Sequence, residues 1–249
     1  MALTRPKEKH WEYTQPDGEQ FPRMPGANGC FLAPSMRGKT TTMLALLMGP
    51  YRKVFSRVYW FSPNIHIDSA FDAWKEFNRK ELGVDEDREK TMWDTWDEKA
   101  LQGIIDRQHR VIEYQKKHKM KKMFCVCVII DDWADRPDIM HKASNVITSL
   151  FIKGRHGCIS TWLSSQALRA IHPTARANFK FYCVWKLNNA MERQKVIEEL
   201  SALLPIKTLQ AMYDLCTQER FGFWYIDLTA HDVNEMFYKG FDQRIVVHS

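Results

Sequence analysis

Ala33-Pro34-Ser35-Met36-Arg37-Gly38-Lys39-Thr40 is the stretch from which the rest of the chain can be read. Before it lies a short apolar run, Cys30, Phe31 and Leu32; after it Met43, Leu44, Leu46 and Leu47 recur at helical spacing. A loop between a strand and a helix is where phosphates are held, because the helix aims its free N–H groups and positive dipole end at the anion. Gly38 lets the backbone come close, Lys39 adds a charge, and Thr40 adds a hydroxyl able to hold Mg²⁺. The expected nucleotide-binding set is Ala33, Pro34, Ser35, Met36, Arg37, Gly38, Lys39, Thr40 and Thr41. Ala33 stands where Gly is usual, and Met36 and Arg37 are bulkier than the Gly-rich pattern at their positions. A Gly-Lys-Thr after a turn also begins ordinary helices, so the octapeptide alone leaves both readings open.

A second motif discriminates. Residues 123–130 are almost wholly apolar and end in Asp131 and Asp132. A continuous apolar run of that length fits a central parallel strand covered on both faces, with its carboxyl end opening on the crevice where ligands of such sheets bind. Asp131 is the candidate for holding Mg²⁺, and Asp132 the candidate base that polarises the attacking water. Two acids capping a strand are common by themselves. In this order and beside the loop they point to a Mg²⁺-nucleotide site.

Further along, Gly154-Arg155-His156-Gly157 precedes a strand over 158–164, followed by Ser165 and Gln166. An amide just past a central strand can reach the γ-phosphate or the lytic water, which makes Gln166 the candidate sensor. Arg155 lies before that strand, at the sheet edge opposite the nucleotide of its own subunit. It is either an arginine finger reaching a neighbour's site or a plain surface arginine. Arg176 is a second finger or sensor candidate. His141 and His156 have no accompanying nucleophile motif and read as structural; Trp60, Trp133 and Trp224 read as core or interface.

The alternation of elements is that of a βαβ protein: strands over 57–61, 123–130, 158–164 and 179–187, helices over 69–79, 97–117, 138–153, 190–203 and 206–216. Strands over 221–228 and 235–238 are expected as an antiparallel pair at the sheet edge. The fold class is α/β, a mainly parallel central sheet flanked by helices. Residues 1–28, rich in Pro, Gly and charge, are expected as an extended arm suited to subunit contacts, and residues 29–249 as a single domain.

Composition narrows the class. The chain has 249 residues and 45% apolar content, enough for one domain with a well-buried core. No segment approaches the roughly 18 to 20 apolar residues needed to span a bilayer, so no membrane partner is expected. The N-terminal residues lack an apolar signal core, which argues against secretion and for reduced thiols. The six Cys do not fall at metal-ligand spacing and read as small core residues. A net charge of +6 is a modest bias toward polyanions. Lys116, Lys117, Lys119, Lys121 and Lys122 concentrate it, as a solvated helix end or as a DNA contact.

Gly38-Lys39-Thr40-Thr41, the run Val58 to Pro63, the strand ending in Asp131-Asp132, and Leu150 to Ser160 with Ser165-Gln166 together resemble the A32-like genome-packaging ATPases of large DNA viruses and virophages, in the FtsK/HerA branch. The resemblance covers residues 28 to 240. It implies a RecA-like sheet, a homo-oligomeric ring, ATP and Mg²⁺ as ligands, and translocation of double-stranded DNA into a preformed capsid. It further implies a capsid or portal-vertex partner and a place in the host cytoplasm, a viral factory or the virion. Carried over, Lys39 and Thr40 bind phosphate and metal, Asp131 and Asp132 the metal and water, Gln166 is the sensor, and Arg155 the trans finger. A nucleoside or nucleotide kinase, and a non-catalytic nucleotide-binding assembly protein, are the alternatives that the loop alone leaves standing.

Overall fold

The computed structural model describes residues 11–133 and 146–247. Its frame is a sheet of order β3-β2-β4-β5-β1-β6-β7-β8-β9. The strands are β1 (Gly29–Leu32), β2 (Phe55–Phe61), β3 (Met92–Trp93), β4 (Cys125–Ile130), β5 (Ile159–Ser165), β6 (Phe181–Trp185), β7 (Phe223–Asp227), β8 (Phe237–Lys239) and β9 (Gln243–Arg244). From β3 to β6 every pairing is parallel, and from β6 to β9 every pairing is antiparallel. This is the predicted class, with the antiparallel pieces at the C-terminal edge.

The all-apolar β4 shows why the sheet has two covered faces. Val126, Val128 and Ile130 belong to one core cluster, while Cys125, Cys127 and Ile129 belong to the other. Alternate side chains of one strand leave from opposite faces, so both faces must be packed. On the first face lie α3 (Glu98–Lys117), α4 (Val146–Lys153), α6 (Ala190–Leu200) and α7 (Ile206–Cys216), contributing Leu101, Ile104, Ile147, Leu150, Val196 and Leu209. On the second lie α1 (Lys39–Met48) and α2 (Ala70–Glu81), through Leu44, Leu47, Phe71 and Trp74. The short α5 (Pro173–Arg176) leads into β6. All six cysteines are buried and free, as core residues are. Among the described residues, no helix is long and apolar enough to cross a membrane.

The described part of the N-terminal segment is fastened to the domain. Phe21, Met24 and Ala27 are buried in the second cluster. Ala27 N–H donates to Ser160 Oγ at 3.0 Å, Trp162 Nε1 donates to the Ala27 carbonyl at 2.9 Å, and Thr161 N–H donates to Asn28 Oδ1 at 2.9 Å. Residues 11–28 are irregular in backbone but supply core.

Element limits differ from expectation in small ways. The strand read over 235–238 is a 3₁₀ turn, Val233–Glu235, followed by β8, because Asp232 caps the turn by accepting from Asn234 N–H. The helix read over 138–153 is described only as α4, and His141 with the rest of it lies outside the described residues.

Candidate functional site

The crevice forms where β1 ends. Ala33 N–H continues the ladder by donating to the Ser165 carbonyl at 3.1 Å, and α1 begins six residues later. Between them Met36 (φ 60°) and Gly38 (φ 90°) adopt left-handed backbone, which folds the chain into a concave turn of the kind in which consecutive N–H groups face one anion. Gly38 takes this conformation freely. Met36 does so at a cost of roughly 1–2 kcal/mol and leaves its side chain 91% exposed. No side chain caps the start of α1, and its first turn carries no acid. The donors of that turn are left for an outside acceptor.

Lys39 is only 5% exposed. Its Nζ donates to the Ala33 carbonyl at 3.0 Å and the Pro34 carbonyl at 3.4 Å, and lies 3.2 Å from Asp132 Oδ1. The ammonium is therefore held across the mouth of its own loop. Asp132, at φ 55°, follows β4 directly; its N–H donates to Ser164 Oγ at 2.9 Å, and Asn64 Nδ2 donates to its Oδ2 at 3.2 Å. Among the described residues, Asp132 Oδ1 receives no hydrogen bond beyond that ion pair.

Asp131 is completely buried and accepts from three hydroxyls: Thr40 Oγ1 at 3.2 Å, Ser62 Oγ at 3.2 Å, and Ser164 Oγ in a very short contact. Burial pushes its carboxyl from the ordinary 3.8 up to about 6, and the Asp132 charge adds to the push; the Ser164 bond, Lys39 and the Thr40 bond oppose it. The loss of hydration outweighs the hydrogen bonds. A carboxylate kept charged against that cost, with a threonine hydroxyl beside it, fits a divalent cation, whose own charge would remove the penalty.

Other candidates are brought in unequally. Gln166 Nε2 donates to Ser35 Oγ at 3.2 Å, so the sensor candidate does reach the loop. Arg37 Nη1 donates to the Arg220 carbonyl at 3.1 Å and straps the C-terminal turn to the loop. Thr41 lines the loop cavity of about 520 Å³ with Lys39, Thr40, Asn64, Asp132 and Phe221. Arg155 is exposed in the 3₁₀ turn Gly154–Gly157, ahead of β5 and thus at the end of the sheet remote from the loop. Arg176 is 11% exposed, its Nε lies 3.1 Å from Glu199 Oε1, and its Nη1 donates to the Leu168 carbonyl at 3.3 Å. Its guanidinium is thus engaged within its own subunit.

Ser62, Asn64, Ser164, Arg220 and Phe221 were not singled out from the sequence as site residues. Ser62 and Asn64 lie just past the strand read over 57–61, and Ser164 is the last residue of the strand read over 158–164, with nothing in the local sequence to mark them. Their role comes from the pairing of β2 and β5 with β4.

Against solved structures, the chain resembles the genome packaging NTPase B204 from Sulfolobus turreted icosahedral virus 2 in complex with AMPPCP, with TM-score 0.57 and 12% identity over 90% of this chain and 100% of that one. It matches the same protein in complex with sulfate with TM-score 0.56 and 13% identity, over 91% and 100%. It matches the pCW3 conjugation coupling protein TcpA, monomer form with ATPγS, with TM-score 0.55 and 12% identity, over 95% and 68%. At these identities the likeness is one of fold, and the fold is the expected one. No curated protein sequence matches. The family model for the poxvirus A32 protein matches residues 29–220, a span that holds the loop, both aspartates and the Gly-Arg-His turn. The resemblance read from those motifs is thus borne out over most of the sequence, and the chain belongs to the poxvirus A32 protein family.

Proposed function

We propose that the protein is an ATP-hydrolysing motor that moves double-stranded viral DNA into a preformed capsid, acting as a ring of identical subunits at the capsid vertex, in the host cytoplasm or a viral factory. The observation that carries the reading is the contact set at the loop: Lys39 on Asp132 at 3.2 Å and Thr40 on Asp131 at 3.2 Å, in a chain of the A32 family. B204, described as a genome packaging NTPase, has the same fold and supports it.

The loop N–H groups, Lys39 and the α1 terminus bind the triphosphate. Thr40 and Asp131 would hold Mg²⁺, which when bound would supply positive charge against the developing charge of the triphosphate. Lys39 then exchanges its partners. A phosphate oxygen takes the ammonium from the Ala33 and Pro34 carbonyls and from Asp132, and the freed Asp132 carboxylate accepts the proton of the attacking water. Before nucleotide arrives, the ion pair keeps that base neutralised. Gln166, already on Ser35, orients the water or the γ-phosphate. Arg155, whose guanidinium has no partner among the described residues, reaches the site of a neighbouring subunit.

Lys39→Ala tests the core of this reading: ATP turnover is lost while circular dichroism stays that of the wild type, and undiminished turnover overturns it. Turnover by the wild type rises with double-stranded DNA and not with small phosphate acceptors. Its DNA affinity falls steeply between low and physiological salt, because phosphate contacts release counterions.

A further inference from the structure

Beyond Phe221 the loop cavity has a neighbour. Phe221 forms a wall of the 520 Å³ cavity over the loop and also of a second cavity of about 490 Å³, whose walls include Arg220, Phe223, Asp242 and Gln243. The Phe221 ring is 56% exposed, an unusual state for an aromatic side chain that stands against Gly38. The Arg220 guanidinium lies over it at 5.1 Å from the ring centroid. The turn is fixed from two sides: Arg37 holds the Arg220 carbonyl at 3.1 Å, and Lys239 of β8 holds Glu219 through its Nζ at 2.7 Å. Gly222 is required for its close passage, since a Cβ there would lie 2.6 Å from the Cys216 carbonyl oxygen.

We propose that this second cavity takes the nucleobase of the bound nucleoside triphosphate, stacked on Phe221 and Arg220, with adenine selected by Gln243 and Asp242. The proposal rests on the reading of the loop as a triphosphate site and adds the other half of the ligand. A triphosphate at the loop puts its ribose and base outside the loop cavity, and Phe221 is the side chain common to both cavities. An aromatic face beneath a guanidinium suits a planar π-system. The Gln243 amide can both donate and accept, which matches the exocyclic amine and ring nitrogen of adenine. The Asp242 carboxylate accepts from that amine and repels the carbonyl that guanine carries in its place. Phe221, Asp242 and Gln243 all lie beyond residue 220, where the family match ends. Arg37 gains a reason here: it ties the base platform to the phosphate loop.

The test is calorimetric titration of the full chain with Mg²⁺-ATP, Mg²⁺-GTP and inorganic tripolyphosphate. Phe221→Ala is expected to weaken ATP binding about tenfold, the scale of one lost base stack, and to leave tripolyphosphate binding unchanged, while Phe221→Tyr restores ATP binding. Asp242→Ala narrows the preference for ATP over GTP without altering tripolyphosphate. The proposal is overturned if Phe221→Ala keeps ATP affinity within about twofold of wild type, or if it weakens tripolyphosphate as much as ATP. If the wild type binds neither ATP nor tripolyphosphate, the triphosphate reading fails and takes this proposal with it; tripolyphosphate bound as tightly as ATP overturns the base site alone.

Discussion

At Asp131 burial and hydrogen bonding pull in opposite directions, and burial prevails: the carboxyl stands at about 6 in the folded protein against 3.8 for an ordinary one. A group raised in this way is a proton sink. Through the window from about pH 4 to 6 the folded state holds a proton that the unfolded chain has released, so stability falls as pH rises through it and stays at the lower level above. Asp131→Asn keeps the shape and removes the charge. Without metal at pH 7.5 it is expected to melt about 2–4 °C above the wild type, the gap closing as pH falls below 5, while Mg²⁺-ATP turnover is lost. Thermal melts in chelator check it; identical wild-type and variant melts at pH 7.5 would show that the buried carboxylate carries no cost. Lys39, Thr40, Asp131 and Asp132 were expected to meet because a loop before a helix and the carboxyl end of a central strand share one crevice, and the structure brings them together. Ser62 and Ser164, which donate to Asp131 from other strands, were not expected there, since which strands flank β4 is a property of the sheet rather than of any local pattern.

Among the elements, β1 depends on a residue with no side chain. A Cβ on Gly29 would sit 2.1 Å from Phe181 Cζ on the adjacent β6, against a ring that is buried and packed edge-on to Phe31. Gly29→Ala must push Phe181 from its place in a dense core, at a cost of about 1–3 kcal/mol, read as a lower midpoint in denaturant. An unchanged midpoint would mean the two strands separate freely. The parallel centre was readable because β4 is apolar throughout, and the antiparallel pairing of β7 and β8 was expected at the sheet edge. The two-residue strands β3 and β9 are too short to display any period. Phe21, Met24 and Ala27 belong to the core although Pro and Gly around them mask every regular pattern. Their segment is held by tertiary bonds: Ala27 to Ser160 and Trp162, and the Gln20 carbonyl, which accepts from the Tyr225 hydroxyl at 2.7 Å.

For the whole molecule the parallel sheet imposes a polarity. Loop, aspartates and Gln166 sit at the carboxyl ends of β1, β4 and β5; Arg155 sits before β5, and the exposed Lys116 and Lys117 in the last turn of α3, with Lys119, Lys121 and Lys122 after it, precede β4 at the opposite end. A strand of the length of β5 spans about 20 Å, far beyond the reach of an arginine side chain, so Arg155 cannot serve the nucleotide of its own subunit. A head-to-tail ring removes the difficulty, since a heterologous interface sets one face of a subunit against a different face of the next. The consequence is complementation between defective subunits. On the proposed reading, Arg155→Ala retains the base Asp132 and lacks the finger, and Asp132→Asn retains the finger and lacks the base. Each alone is expected to form inactive rings, whereas an equal mixture regains activity, because about a quarter of randomly formed interfaces join an intact base to an intact finger. ATP turnover of mixed rings, with subunit mixing verified by mass, decides it. Mixed rings as inactive as either parent, or an Arg155→Ala ring that turns over ATP at the wild-type rate, would remove Arg155 from the reaction and leave it a surface cation.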